Sequence, residues 1–252
     1  VTLPTQVRQG DDAAKGVYLN HVIAISAGDG HTLALRSDGA VFGWGDNRKG
    51  QLGTGNVLNY RVAVQVKKGA YDVSADGQGG LDDGRLNNVL AISAGGSHSM
   101  ALLPTGLVYS WGDGTYGQGG NSAGVSAVYP AGTPEEGVNT PEEGRPTPGN
   151  EIAFTAPVKS NVTGATAVAA GGNSSAAVSG RQVYSWGSNL HGELGRDEAN
   201  AVTAWTDIPA LVAKGDSSNA SASEPSLSNV IYLAAGSSHM GVIRGDGYVW
   251  NW

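Results

Sequence analysis

The 252-residue sequence contains no cysteine, which excludes a disulfide framework, a thiol nucleophile and a cysteine-bound zinc or iron–sulfur centre. Basic residues are scarce as well: 15 Lys and Arg stand against 22 Asp and Glu, a formal charge of −7. That balance argues against a nucleic-acid binder, which needs a basic face. No apolar run approaches the roughly 20 residues of a membrane-spanning helix, and the first ten residues do not resemble a signal peptide.

Glycine is the residue that is present in excess. The chain has 40 glycines, about one residue in six, against a usual frequency of about 7%. They show no three-residue period, which excludes a collagen-like chain. Together with the many Val, Thr and Ser residues, this composition predicts an all-β protein with many tight turns.

An internal repeat organises the chain. Four segments align with one another, at residues 22–45, 89–112, 165–187 and 230–252. Their anchor glycines lie 67, 76 and 65 residues apart, at Gly28, Gly95, Gly171 and Gly236. Their tryptophans keep nearly the same spacing, at Trp44, Trp111, Trp186 and Trp252.

Each repeat reads as three short strands, a glycine-rich loop and a fourth strand. The glycine-rich loops are residues 45–53, 112–120 and 187–195. Four strands per unit are typical of a β-propeller blade. We therefore expect residues 1–252 to form a single all-β propeller region of four-stranded blades, with repeats near 22–66, 89–160, 165–212 and 230–252. Insertions interrupt it at residues 67–88, 121–154 and 213–229, and we expect them to be exposed loops.

The repeat resembles the regulator-of-chromosome-condensation repeat family, whose bacterial members include a secreted propeller that inhibits β-lactamases. The first repeat carries the pattern most fully, at Gly28, His31, Asp38, Gly39, Val41, Trp44, Gly45, Asn47, Gly50, Gln51, Leu52 and Gly53. Later repeats depart from it, with Ser174 in place of the histidine and with Gly114 and Gly119 in place of the loop Asn and Leu. The resemblance implies a ring of seven blades.

The two ends of the sequence match complementary parts of one blade. Residues 3–7 match a fourth strand without the preceding three, and residues up to Trp252 match a third strand without a fourth. Three interpretations follow: a piece of a longer protein, a four-bladed ring, or half-propellers joined between chains. In the last, the Pro4–Val7 strand of one copy lies beside the Val249–Trp252 strand of another, because open strand edges invite pairing.

The histidines and tryptophans of the repeat are expected to hold neighbouring blades together rather than to carry out chemistry. His31, His98 and His239 occupy one repeat position, and we expect each ring to hydrogen-bond the backbone of a neighbouring blade. Equivalent positions on different blades lie too far apart to share a metal ion, and Ser174 interrupts the series. We expect the four motif tryptophans to pack between blades.

The sequence contains no catalytic motif, and we predict no metal and no cofactor. One plant member of the resembled family is a photoreceptor that uses tryptophans beside arginines. No tryptophan adjoins an arginine in this sequence, so we do not expect photoreception.

We therefore expect a non-catalytic protein-interaction or assembly scaffold, bacterial and secreted or on the cell surface, with proteins as its partners and copies of itself among the candidates. Loops carry contacts in such folds, so the candidate contact residues are Asp46, Asn47, Arg48, Tyr116, Asn189 and His191, with Trp205 as a surface anchor. Alternatives are a fibre or sheath subunit joined through its end strands, a β-lactamase inhibitor and a guanine nucleotide exchange factor.

Overall fold

The computed structural model of the chain describes residues 3–10, 17–69, 84–121, 153–196, 204–215 and 226–252. These ranges contain fifteen β-strands. Within them no helix has the length and apolarity that crossing a membrane requires. The expected insertions at 67–88, 121–154 and 213–229 lie for the most part outside the described residues.

The strands form four antiparallel sheets, each in simple chain order. Blade 1 contains β1–β4 (Val22–Ala27, His31–Arg36, Val41–Gly45 and Tyr60–Gln65). Blade 2 contains β5–β8 (Ala91–Ala94, His98–Leu102, Val108–Asp113 and Ala153–Lys159). Blade 3 contains β9–β12 (Ala165–Ala170, Ser174–Ser179, Gln182–Ser188 and Trp205–Leu211). Blade 4 contains β13–β15 (Val230–Ala235, Met240–Arg244 and Val249–Asn251).

This arrangement confirms the predicted all-β propeller. The inner strands β1, β5, β9 and β13 contact one another in that order, so consecutive repeats form consecutive blades. Blades 1 to 3 have four strands each, whereas the sheet of blade 4 has three.

The hydrophobic core lies between consecutive blades rather than within any one sheet. Side chains alternate between the two faces of a strand, and in blade 1 Leu33, Leu35 and Val41 contact blade 2, where they meet Val89 and Trp111. The same arrangement recurs with Met100, Leu102, Val108 and Trp186 at the second contact and with Ala176, Val178, Val183 and Met240 at the third. Each blade is therefore stabilised by the next one.

The N-terminal residues lie at the outer side of blade 1. Gln9 forms a parallel bridge with Ala63 of β4, and Arg8 forms an antiparallel bridge with Tyr18. Residues 3–10 carry no assigned strand. The match of residues 3–7 to a fourth strand therefore stays a prediction of the repeat alignment.

Each glycine-rich loop closes on a residue that only glycine suits. Gly53, Gly120 and Gly195 have φ values of +63°, +61° and +56°, in the left-handed region that disfavours side chains. A Cβ atom on Gly120 would lie 2.5 Å from Nε1 of Trp186 in the next blade. The loop can approach the tryptophan only because no side chain stands between them.

We expect Gly120→Ala to cost more stability than Gly180→Ala. Both glycines have a positive φ, +61° and +56°, but a Cβ on Gly180 would meet nothing within 4 Å. The shared backbone strain is about 1–2 kcal/mol, and crowding against Trp186 adds about 1–3 kcal/mol at position 120. Urea denaturation followed by tryptophan fluorescence measures both, and equal losses would contradict the assigned packing.

Candidate functional site

Each glycine-rich loop binds the motif tryptophan of the following blade. The backbone carbonyls of Gln51, Gln118 and Glu193 accept the indole N–H of these residues, at 2.9, 2.8 and 2.8 Å. The donors are Trp111, Trp186 and Trp252, respectively. The remaining motif residue, Trp44, packs against the buried cluster of Ala40, Phe42 and Ala63, as do Val7 and Leu19 from the N-terminal part of the chain.

Two repeat histidines bind a serine of the following blade. Nε2 of His31 lies 2.8 Å from Oγ of Ser99, and Nε2 of His98 lies 3.0 Å from Oγ of Ser175. Each hydroxyl in turn donates to a loop carbonyl, that of Gln51 at 2.8 Å or of Gln118 at 3.1 Å. A hydroxyl has one proton, so each histidine Nε2 must donate. The expectation of a backbone partner was wrong, because a side-chain hydroxyl stands between the ring and the carbonyl.

This bonding keeps both histidines neutral. Their Nδ1 atoms are buried and have no hydrogen-bond partner in the described part of the chain, so a second ring proton would have no acceptor. Burial lowers the pKa of His31 from 6.5 to about 4, against the opposing charges of Asp46 and Asp29. Burial, with a further contribution from His31, lowers the pKa of His98 to about 3.

The contact between blades 3 and 4 departs from this pattern at two positions together. Ser174 stands where blades 1 and 2 have the histidine, and Met240 stands where blades 2 and 3 have the serine. Both are buried. The replacement avoids burying a histidine N–H against a thioether, but the Ser174 hydroxyl is buried without a hydrogen-bond partner among the described residues. His239, in blade 4, is exposed.

The anchor glycines mark where the innermost turns of successive blades meet. These glycines are Gly28, Gly95, Gly171 and Gly236. The residue after each of the first three donates its backbone N–H to the next blade: Asp29 to Gly96 at 3.3 Å, Gly96 to Gly172 at 3.0 Å and Gly172 to Ser237 at 2.9 Å. A series of backbone hydrogen bonds thus runs through all four blades.

The predicted contact residues lie on the glycine-rich loops of blades 1 to 3. Arg48 is exposed and forms a salt bridge with Asp46 at 2.9 Å. Burial alone raises the pKa of the Asp46 carboxyl, but hydrogen bonds from Arg48 outweigh it and lower that pKa. Tyr116 is half-buried and His191 is exposed. Their role in binding stays a prediction.

Asn47 does not belong to this surface. Its side chain is fully buried, its Oδ1 accepts the N–H of Leu52 at 2.8 Å and its Nδ2 donates to the carbonyl of Asn56 at 2.9 Å. Asn189 binds Leu194 in the same way, at 3.1 Å, although it is only half-buried. Both asparagines shape their loops. Half-buried Trp205 begins β12, the fourth strand of blade 3.

The structure also contains a tryptophan–arginine pair that the sequence order does not show. The guanidinium of Arg244 lies 5.9 Å from the centre of the Trp250 ring, and Arg36 lies 5.4 Å from Phe42 at the equivalent place in blade 1. The absence of adjacent tryptophan and arginine residues in the sequence therefore does not exclude such a pair in the fold, and the expectation about photoreception stays a prediction. Among the described residues, no three His, Asp or Glu side chains come together as metal ligands.

We expect the free energy of unfolding to fall as the pH drops from 6.5 toward 4. In that window the histidines of the unfolded chain take up protons, whereas His31 and His98 stay neutral in the folded chain. Their contribution is therefore complete above pH 6.5 and is lost on acidification, by up to about 1.4 kcal/mol per pH unit for each histidine. Urea denaturation across this range measures the slope.

His98→Gln should make that slope shallower, because glutamine can still donate to Ser175 but does not titrate. Identical slopes in His98→Gln and the unchanged chain would contradict the buried, neutral state assigned to His98.

Comparison with known proteins places these features in a family. The model of the regulator of chromosome condensation (RCC1) repeat matches residues 22–51 and 89–118, and a second RCC1 repeat model matches residues 38–75. The ultraviolet-B receptor UVR8 of Arabidopsis thaliana is 38% identical over 106 residues, which are 42% of this chain and 21% of the receptor. The human E3 ubiquitin-protein ligase HERC2 is 31% identical over 200 residues, which are 78% of this chain and 3% of the ligase.

Solved structures share the fold. Human WBSCR16 aligns with a TM-score of 0.64 at 18% identity, over 92% of this chain and 47% of that protein. Prp20p of Saccharomyces cerevisiae aligns with a TM-score of 0.56 at 26% identity, over 88% of this chain and 43% of that protein. The chain thus spans less than half the length of each of these relatives. The repeat matches and the shared fold show that the chain is an RCC1-repeat β-propeller.

Proposed function

We propose that the chain is a non-catalytic protein-interaction scaffold that binds its partner through the loop face, the surface formed by the glycine-rich loops at residues 45–53, 112–120 and 187–195. One observation carries the proposal: the loop backbones are held rigidly from within, while Arg48 and His191 point to solvent. Rigid loops that display exposed side chains lose little entropy on binding.

The rigidity comes from one side chain in each loop. The side-chain oxygens of Gln51, Gln118 and Glu193 accept the backbone N–H two residues earlier, each at 2.8 Å. Two of those N–H groups belong to Tyr116 and His191, both candidate contact residues. The backbone that carries a contact side chain is thus pinned by a buried neighbour.

The binding properties of a related propeller support the proposal that the partner of this chain is a protein. The structural report on Prp20p describes its binding to Gsp1p and histones, which makes a protein-binding role the natural inference for this chain. A secreted or cell-surface location in a bacterium stays part of the proposal. It is supported by the absence of cysteine, the charge of −7 and the polar insertions.

Affinity capture with the purified chain tests the loop face. The triple variant Arg48→Ala, Tyr116→Ala, His191→Ala should lose at least one protein that the unchanged chain captures from cells or medium of its source. The matched control is Ser37→Ala, Thr105→Ala, Arg181→Ala, three exposed positions in the turns at the opposite ends of the blades, and it should lose none. If the loop variant keeps every captured protein, the loop face is not the binding surface.

Two alternatives have direct assays. If this chain shares the Gsp1p binding described for Prp20p, it should accelerate the release of labelled GDP from Gsp1p, and an unchanged release rate would exclude that exchange activity. The inhibitor hypothesis predicts slower hydrolysis of a chromogenic substrate by β-lactamase. The ligase activity of HERC2 is not proposed for this chain, because the matched region is 3% of that protein.

A further inference from the structure

We propose that buried Glu193 fixes the ring tautomer of His191, so that the loop face presents the lone pair of the histidine Nε2 to its partner. The group that fits this lone pair is an N–H or O–H donor of the bound protein. Glu193 is then a positioning residue, and His191 makes the contact. The contact rests on the proposed loop-face binding, whereas the state of the ring can be measured without any partner.

The three glycine-rich loops differ in where they place a carboxylate. Loops 1 and 2, at residues 45–53 and 112–120, have aspartate in the second position and glutamine in the seventh. Loop 3, at residues 187–195, has Ser188 and Glu193 at these positions. The two aspartates are half-buried, but Glu193 is only 4% exposed. A buried carboxylate costs free energy unless donors surround it, so its donors show what the exchange achieves.

The charge of Glu193 is not needed to hold the loop backbone. Gln118 accepts the backbone N–H of Tyr116 at 2.8 Å, and Glu193 accepts that of His191 at 2.8 Å as well. An amide and a carboxylate therefore serve this hydrogen bond equally. What loop 3 gains is a second acceptor oxygen in the place where a glutamine has its NH2 group.

This second oxygen lies beside two donors. Oε1 of Glu193 is 3.4 Å from Oγ of Ser188 and 3.3 Å from Nδ1 of His191. The Ser188 hydroxyl accepts the backbone N–H of Leu190 at 3.4 Å, so its own proton is available to Oε1. An ionised carboxylate only accepts hydrogen bonds, and Nδ1 of His191 must therefore carry a proton.

The proton on Nδ1 decides what the other ring nitrogen offers. A neutral histidine has one ring proton, so its lone pair then lies on Nε2. The His191 side chain is 67% exposed, and no residue in the described part of the chain bonds its Nε2. A free histidine in water favours the opposite tautomer. Glu193 thus turns the exposed nitrogen from a donor into an acceptor.

Competing charges do not disturb this pair. Among the described residues, Glu193 is the charged side chain in contact with the ring. Arg196, the next cation along the chain, donates to the carbonyls of Ser185 and Ile208 instead. The carboxylate of Glu193 is therefore left to the histidine and the serine of its own loop.

The position of His191 is accessible also where the following blade has all four strands. Lys49 and Tyr116 occupy it in loops 1 and 2, which precede the four-stranded blades 2 and 3, and both are half-buried. Lysine offers donors only, and tyrosine offers a donor and an acceptor. With its tautomer fixed, His191 adds a pure acceptor, so each loop presents different chemistry at one equivalent position.

Glu193→Gln tests the assignment with the residue type that loops 1 and 2 carry at this position. The glutamine Oε1 can keep the backbone N–H of His191, and its NH2 group then lies beside Nδ1. In loop 2 the corresponding group, Nε2 of Gln118, is buried without a partner among the described residues. An NH2 group donates and cannot accept, so the histidine proton should move to Nε2.

NMR measures this reversal directly. Long-range 1H–15N correlation spectra distinguish the two tautomers of a neutral imidazole, and the His191 signals are those that vanish in His191→Gln. We expect mainly the Nδ1–H form in the unchanged chain and a shift of about 10-fold or more toward the Nε2–H form in Glu193→Gln. Mainly Nε2–H in the unchanged chain, or one tautomer ratio in both chains, overturns the assignment.

Asp38→Asn is the control for charge. It also removes one carboxylate, from an exposed turn at the opposite end of blade 1, and its amide oxygen can still accept the N–H of Ala40, which Asp38 accepts at 3.2 Å. The tautomer of His191 should stay as in the unchanged chain. A reversal in Asp38→Asn as well would show that overall charge, rather than the contact with Glu193, sets the tautomer.

Binding then separates this inference from the loop-face proposal. For a protein captured through the loop face, Glu193→Gln should weaken binding about 10-fold, because two donors then face each other. Asp38→Asn should bind like the unchanged chain. Equal binding by Glu193→Gln overturns the contact at His191 while the loop face stands. If the triple loop variant keeps every captured protein, the loop face and the contact both fail, and the NMR spectra alone decide the tautomer.

Discussion

The propeller depends on one backbone carbonyl in each glycine-rich loop. A carbonyl oxygen can accept two hydrogen bonds, and those of Gln51 and Gln118 accept an indole N–H and a serine hydroxyl from the following blade. The loop presents that carbonyl only by bending sharply at a glycine such as Gly120, which lies against the same tryptophan. Loop, glycine and tryptophan therefore constrain one another, and changing any one of them disturbs the join between two blades.

This polar chain is buried within an apolar contact, so each hydrogen bond missing from it carries a cost. A buried donor or acceptor without a partner costs free energy, whereas a complete chain costs little. At the contact of blades 3 and 4, Ser174 and Met240 replace both members of the histidine–serine pair, and the Ser174 hydroxyl is left buried without a hydrogen-bond partner among the described residues. The carbonyl of Glu193 still accepts the indole N–H of Trp252. The contact of blades 3 and 4 therefore keeps its tryptophan hydrogen bond although it has no histidine.

The strands and their order could be predicted from the sequence because their signals are local. Period-two alternation, turn glycines and a repeated tryptophan need no knowledge of the neighbouring blade. The hydrogen-bond partner of His31 could not be predicted, because it depends on how two sheets face each other. The one hint in the sequence is that a serine, Ser99, directly follows the histidine of the next repeat. Asn47 looked like a typical exposed loop residue, and only the closed loop shows that it is buried. The Arg244–Trp250 pair was missed although both lie on paired strands, β14 and β15.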